Sequence, residues 1–565
     1  MRALATGPRV ALAADARRDA HHRVAREVAA AAAPRRHVVG ARRDAHARSP
    51  GPSARWPPPR GFATGPPGVT SAPPAVVRAS ASDAPDRGPG FGLGSRALDA
   101  SRLDARGRVP VGARTVILGI ETSCDDTGAA VVTGDGRVLG EALASQGEIH
   151  ARWGGVVPNL AREAHESAID DVVARALAAA NVSPEKLSAV AVTVGPGLSM
   201  CLRVGVVKAQ DLCHEHGLPI VPVHHMEAHA LVARVGDGET ANESNDDAAA
   251  DDDALGRAPF PFLALLVSGG HNQLILARAV GEYRVLGGAL DDALGEAYDK
   301  TARLLGLDVG GGGGPALEAL ARRGDPKAYR FPVPLRRRKD CDFSYAGLKT
   351  AVRLAIERDL GKPADGDAFA RARGLTDDDD ASEGDAEDPS FSAEETARRD
   401  AVRADIAASF QAAAVKHLEE RTRRAIAWAR ESLANDTKPE PSGGNLSCVV
   451  VAGGVASNAT VRATLGAVAS EAGLPLVLPP PRWCTDNGVM VAWAGVERFA
   501  LGLAEEAPSA EQVSTPTEEE PGRKTRREVP LLPRWPLGTK DARATGEVKS
   551  SKTARIAPPL RGVSG

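Results

Sequence analysis

The chain has 565 residues, 43% hydrophobic and 25% charged, with 70 Lys+Arg against 73 Asp+Glu. That length supports two or more domains, and a net charge of −3 excludes a uniformly basic nucleic-acid coat, so any RNA contact must come from local patches. Six Cys with no CxxC pair argue against a disulfide scaffold or a Cys-based zinc knuckle. No apolar run approaches the roughly 20 residues that cross a bilayer, so no membrane association is expected.

Residues 1–60 contain 13 Arg, no Lys and four acids, a surplus of +9 in Ala-rich sequence. From Pro50 to about Arg114 the chain is rich in Pro, Gly, Ser and Arg, without apolar periodicity. An Arg-rich, acid-poor leader reads as an organelle transit peptide, a disordered tail being the plainer alternative; no compact apolar stretch supports a secretory signal. Residues 1–113 are therefore assigned to transit peptide and leader. Packed structure is predicted from 114: β-rich runs at 115–120 and 129–133, a helix over 160–180, and a strand at 189–194. A helix to His216 and a strand at 220–223 follow. Residues 236–258 hold eight acids against one Arg and read as a solvated insertion.

A second lobe is expected over 259–503, with strands at 262–267, 273–277 and 448–451 and a helix over 404–431. It carries an acidic insertion at 361–400, and its final helix, 486–503, is expected to return to the first lobe, 114–235. A polar insertion (504–529), a closing segment (530–538) and a basic tail (539–565) complete the chain. Strand, glycine turn, strand and helix recur twice, which argues for a two-lobed α/β protein with its ligand between the lobes.

His225 and His229 stand four residues apart, on one face of a helix, where two neutral imidazoles can hold one Zn or Fe ion and leave coordination positions open. Asp486, an acid in a turn that opens a helix, is the candidate third ligand. The order His-Met-Glu-Ala-His places the Glu midway between the histidines, not beside the first, which counts against a zinc-peptidase mechanism. Glycine turns at Gly195–Gly197, Ser268–Gly270 and Gly453–Gly454 let backbone N–H groups approach an anion. With Asp125 and Asp299 as acidic companions they suggest a bound nucleotide. Neither a Walker A motif nor a GxGxxG fingerprint occurs.

Several blocks, in order, resemble the tRNA N6-adenosine threonylcarbamoyltransferase (TsaD) family: Val116–Asp125, Trp153–Pro158, Gly195–Leu198, Val223–His229, Leu265–His271, Gly295–Thr301, Phe343–Thr350, Ala452–Asn458 and Cys484–Gly488. The resemblance implies the actin/sugar-kinase/Hsp70 (ASKHA) fold, with metal ligands at His225, His229 and Asp486. It implies substrate-contacting positions at Leu266, Val267, Ser268, Gly269, Gly270, Asp299, Gly314 and Asn458. Asp125 is the candidate for proton handling or adenosine orientation. Leu266 stands where archaeal and eukaryotic cytosolic members have Tyr, as in the bacterial and organellar branch. Asp126 replaces a frequent Glu, Asn159 replaces a frequent Glu after Pro158, and a glycine run at 310–314 replaces Pro-Gly-Gly-Pro.

The implied reaction moves threonylcarbamoyl from L-threonylcarbamoyl-AMP to N6 of adenosine 37, in the anticodon loop of tRNAs reading codons that begin with adenine. One divalent metal ion per subunit, a synthase that supplies the adenylate and a homodimer are further implications. The leader together with the bacterial-type core points to a mitochondrion, with a plastid or both as alternatives. Arg336–Lys339 and Arg421–Arg424 are candidate phosphate contacts. Competing readings are a metal-dependent glycoprotein endopeptidase, a non-catalytic subunit of this fold and a small-molecule kinase.

Overall fold

The β-rich runs of the first half join in one mixed sheet and those of the second half in another, as seen in a computed structural model of the chain. The structure describes residues 104, 108–151, 155–236, 258–307, 313–361, 392–435, 445–505 and 529–544, all within the unit Asp83–Gly565. Most of the residues assigned to the leader, the three insertions and the tail lie outside the described residues, but Val109, read as leader, packs in the core and donates its N–H to the Ala500 carbonyl at 2.9 Å.

The first sheet holds β1 (Val116–Glu121), β2 (Asp126–Thr133), β3 (Val138–Ser145), β4 (Ala189–Gly195) and β5 (Ile220–His224) in the order β3-β2-β1-β4-β5. β1–β3 form an antiparallel meander, and β4 and β5 add in parallel. The helices between them are α1 (Gly147–Ala151), α2 (Pro158–Ala180) and α3 (Ser199–His216), with α4 (His225–Leu231) directly after β5. β4 is buried along its whole length, which is why it reads as an unbroken apolar run instead of an alternating one.

The second sheet repeats the plan. β6 (Phe262–Val267), β7 (Asn272–Ala279) and β8 (Glu282–Gly288) form a meander, and α5 (Leu294–Leu304), α6 (Gly313–Ala321), α7 (Ala346–Asp359) and α8 (Ala393–Ala434) follow. Then come β9 (Val449–Ala452), α9 (Ala459–Glu471), β10 (Leu476–Val477), α10 (Gly488–Ala500) and β11 (Thr539–Lys540), in the sheet order β10-β9-β6-β7-β8-β11.

Side-chain alternation sorts these elements into five layers. Leu263, Leu265 and Val267 of β6 pack among α5–α9, while Phe262, Ala264 and Leu266 face a middle layer made by α4 and α10. The far side of that layer is covered by Ile117, Ala130 and Ala191 of the first sheet, whose opposite face packs on α2 and α3. α10 is buried almost throughout, so its sequence is apolar on every side. Its first residue lies against β2: a Cβ on Gly488 would sit 2.2 Å from the Ala129 carbonyl carbon, so only glycine permits that approach.

Two boundaries differ from the sequence reading. α8 begins at Ala393, eleven residues before the expected start, because Ser392 caps it by accepting the Glu395 N–H at 3.2 Å while Glu394 and Glu395 complement the helix dipole. Its first turns are largely solvated, so apolar periodicity does not mark them. Thr539–Lys540, read as the start of a basic tail, instead pairs with β8 as an edge strand.

His417 of α8 is fully buried, and burial, reinforced by the nearby Arg421 charge, pushes its imidazole from the ordinary 6.5 to about 3. Above pH 6.5 the ring is neutral whether the chain is folded or not, and stability is unaffected. Below it the unfolded chain takes up a proton that the folded one refuses, so stability should fall by ~1.4 kcal/mol per pH unit toward pH 3. In urea unfolding between pH 7 and 4, the pH slope of wild type should exceed that of His417→Gln by about this amount.

Candidate metal centre

α4 starts as soon as β5 ends, because His224 folds back as its N-cap: Nδ1 accepts the Met226 N–H at 3.1 Å, and Nε2 donates to the Trp535 carbonyl at 3.1 Å. The next residue, His225, and His229 one turn on, place their rings edge to face at 4.7 Å. Asp486, in the turn that opens α10, reaches both: its Oδ1 lies 3.0 Å from His229 Nε2 and 3.7 Å from His225 Nε2. These three ligand atoms fall within 4.8 Å of one another, and both histidines are buried. The structure thus brings together the three residues read from the sequence as metal ligands.

Behind His225 lies a residue not singled out from the sequence. The Glu121 carboxylate, fully buried at the end of β1, accepts the Ser123 N–H at 2.6 Å and the Thr193 hydroxyl at 2.5 Å, and its Oε2 lies 3.4 Å from His225 Nδ1. Ser123 Oγ is 3.1 Å from the same nitrogen. With Nδ1 engaged there, Nε2 is left to face Asp486. Burial opposes charge on His225, but Asp486 and Glu121 outweigh it and raise the imidazole to about 9. Burial likewise opposes charge on Asp486, and the facing imidazoles hold its carboxyl well below the usual range. His271 joins the group from the second sheet, its ring 5.9 Å from His225. An acid at the end of a strand followed by Thr-Ser, and a His closing a Ser-Gly-Gly turn, are weak signals that distance alone cannot sharpen.

Glu227, between the two ligands in sequence, turns away from them. It accepts the Tyr283 hydroxyl at 3.0 Å and Arg498 Nη1 at 2.9 Å in the buried interior, and the Gly281 N–H at 2.9 Å nearer the surface. A peptidase of the kind considered above needs this carboxylate free beside the ligands, and it is fully engaged elsewhere.

The expected substrate positions fall on one end of the second sheet, with different degrees of freedom. Leu266 and Val267 have buried side chains, on opposite faces of β6. The Ser268 N–H is committed to the His271 carbonyl at 2.8 Å, whereas Gly269 and Gly270 are exposed, with open space where side chains would be. Gly453, at φ +98°, crosses this end so closely that a Cβ would lie 2.3 Å from the Val267 carbonyl oxygen. Asp299 and Gly314 meet directly, Oδ1 accepting the Gly314 N–H at 3.2 Å, and burial raises the Asp299 carboxyl. Asn458 caps α9, accepting the Val461 N–H at 3.0 Å, while its amide donates to Gln411 at 3.1 Å. Asp125 lies in the turn between β1 and β2, beside Asp126, whose partly buried carboxyl is raised to about 7 chiefly by desolvation. One basic cluster, Arg421–Arg424, is mostly turned inward, with only Arg423 exposed, where it pairs with Glu419 and Glu471. Arg421 is fully buried, and it and Arg424 bond to backbone carbonyls of residues 335–342.

The model of the family described as tRNA N6-adenosine threonylcarbamoyltransferase (TsaD) matches residues 137–245 and 246–493. The chain belongs to this family. It is 49% identical to an Arabidopsis thaliana protein named a probable mitochondrial tRNA N6-adenosine threonylcarbamoyltransferase, over 79% of this chain and 80% of that one. A Xenopus tropicalis relative, also named mitochondrial, is 40% identical over 70% of this chain and 87% of its own. One from Rhizobium leguminosarum is 42% identical over 69% and 90%. The chain is therefore a transferase of this family with the two-lobed ASKHA fold, acting on tRNA.

Because Glu227 and Arg498 are a buried pair, Glu227→Ala should cost ~3–5 kcal/mol by leaving the guanidinium uncompensated. The double variant Glu227→Met, Arg498→Met should recover most of that in denaturant unfolding.

Proposed function

We propose that this chain transfers threonylcarbamoyl from L-threonylcarbamoyl-AMP to N6 of adenosine 37, in tRNAs that read codons beginning with adenine, inside an organelle. The observation that carries the reading is the convergence of His225, His229 and Asp486, from segments at least 257 residues apart, beside the Ser268–Gly270 turn. Two imidazoles and a carboxylate suit Fe or Zn with coordination positions left over, and the engaged Nδ1 of His225 is the outer-shell arrangement such a ligand requires. A bound ion would supply Lewis-acid polarisation of the carbamoyl carbonyl, or orient the threonyl carboxylate.

The chain's own residues account for the rest of the site. Adenosine N6 is a poor nucleophile because its lone pair is delocalised into the ring, so the acyl group has to be held rigidly and its leaving group stabilised. The exposed Gly269 and Gly270 backbone lets an adenylate phosphate approach without side-chain obstruction. Asp299 and Asn458, each fixed by a backbone hydrogen bond, are assigned the orientation of ribose or threonine. Asp125 is assigned adenosine orientation or proton handling. Adenosine 37 lies in a single-stranded loop, so its base enters without opening a duplex.

The mitochondrial names of two relatives support an organellar setting, with the mitochondrion favoured over a plastid. The adenylate requires a partner synthase using threonine, bicarbonate and ATP, and a homodimer is the assembly assigned by family resemblance.

Mass analysis of organellar tRNA nucleosides after depletion tests the reading. Wild type should restore threonylcarbamoyladenosine and the His225→Ala, His229→Ala double variant should not; full rescue by the double variant would refute the ligand assignment. Glu121→Gln should fold normally by circular dichroism but bind Zn or Fe about 10–100-fold more weakly in chelator competition.

A further inference from the structure

Residues 322–340, between α6 and α7, hold eight Lys and Arg against two acids. The cations are not equivalent. Arg338 folds inward, bonding Asp340 at 2.5 Å and Asp342 at 3.1 Å. Arg336, Arg337 and Lys339 are exposed and form no ion pair among the described residues.

The segment that displays them is fixed from beneath. Arg421, fully buried, donates to the carbonyls of Leu335 at 2.6 Å, Asp342 at 3.0 Å and Arg338 at 3.2 Å, and Arg424 adds the Asp340 carbonyl at 2.5 Å. Leu335, immediately before the exposed pair, is held at φ +49°, a left-handed conformation that a branched side chain disfavours. A solvated charge run needs neither a buried guanidinium nor a strained residue to hold its shape.

Its position also matters. Val267 pairs with Asn272, Gln273 with Gly288, and Ala289 bridges to Phe343, so the end of the sheet that carries Ser268–Gly270 continues across β7 and β8 to this segment. At about 4.8 Å per strand, Phe343 lies about 14 Å across the sheet from the end of β6, and the exposed cations stand a few residues before Phe343 in the same segment. A strand whose base sits beside the glycine turn can run along this end of the sheet toward them.

We propose that Arg336, Arg337 and Lys339 form a preset phosphate-binding surface that grips the tRNA backbone flanking the modified adenosine. The inference rests on tRNA being the substrate and adds where its phosphates are held. Planar guanidiniums and a flexible ammonium on a rigid turn suit backbone phosphates, and they convey no base identity.

The test uses the full chain, with fluorescence anisotropy on transcribed tRNA across a salt series and steady-state kinetics in parallel. Arg336→Ala, Arg337→Ala, Lys339→Ala should weaken tRNA binding some tens-fold to about a hundredfold at ~0.15 M salt and reduce the log–log salt slope by about 2–3. KM for tRNA should rise while kcat and KM for the adenylate hold. Arg336→Lys, Arg337→Lys should stay near wild type, and Arg337→Glu alone should weaken binding measurably. Unchanged tRNA affinity and slope in the triple variant would overturn the proposal. So would loss only of binding to anionic phospholipid vesicles, which would mark a membrane-facing patch. If wild type binds tRNA through these residues yet transfers nothing from threonylcarbamoyl-AMP, the donor assignment fails and the surface stands.

Discussion

The structure depends on a single buried layer, where α4 and α10 lie side by side between the two sheets. α4 supplies both imidazoles, and the turn before α10 supplies the carboxylate that faces them. Asp486 comes within 3.0 Å of His229, and two residues on the glycine at the start of α10 is pressed on β2, which fixes where the turn carrying Asp486 lies. Side chains in close-packed interiors shift little, so a displacement of the helix would carry the ligand with it.

Charge inside this layer is arranged in pairs, and the pairing separates structural from chemical acids. Glu227 meets Arg498 and the β7–β8 hairpin, and Glu497 meets Arg234, both fully buried. Glu121 differs in having only neutral donors and His225 around it, so its charge acts on the imidazole beside it. The closing segment ties the same region from outside: Leu532 bonds to Val194 of the first sheet, Trp535 packs on His224, and β11 joins the second sheet. The helix that carries both histidines is thus anchored to both sheets.

Two arginine clusters of similar composition have opposite roles. Arg421 is interior scaffolding that spends its donors on carbonyls, and Arg336 and Arg337 are what that scaffolding displays. Net charge and local charge density are the same kind of information for both. Burial separates them, and burial depends on which face of α8 meets the turn.

The sequence by itself determined the fold class and the repeated strand–turn–strand plan and singled out the three residues that converge, because apolar periodicity, glycine turns and ordered motif blocks are local properties of the chain. It placed His225 and His229 on one helical face by spacing alone. It left the first turns of α8 and the β11 pairing unread: the cap at Ser392 is marked by only two residue types, and an edge strand of two residues has no period. Only the tertiary structure decided that Glu121 backs His225, that Glu227 faces away, and that Arg421 lies beneath Leu335. Each of those facts joins residues far apart in the chain, and side-chain direction at such distances is set by packing, which no local pattern encodes.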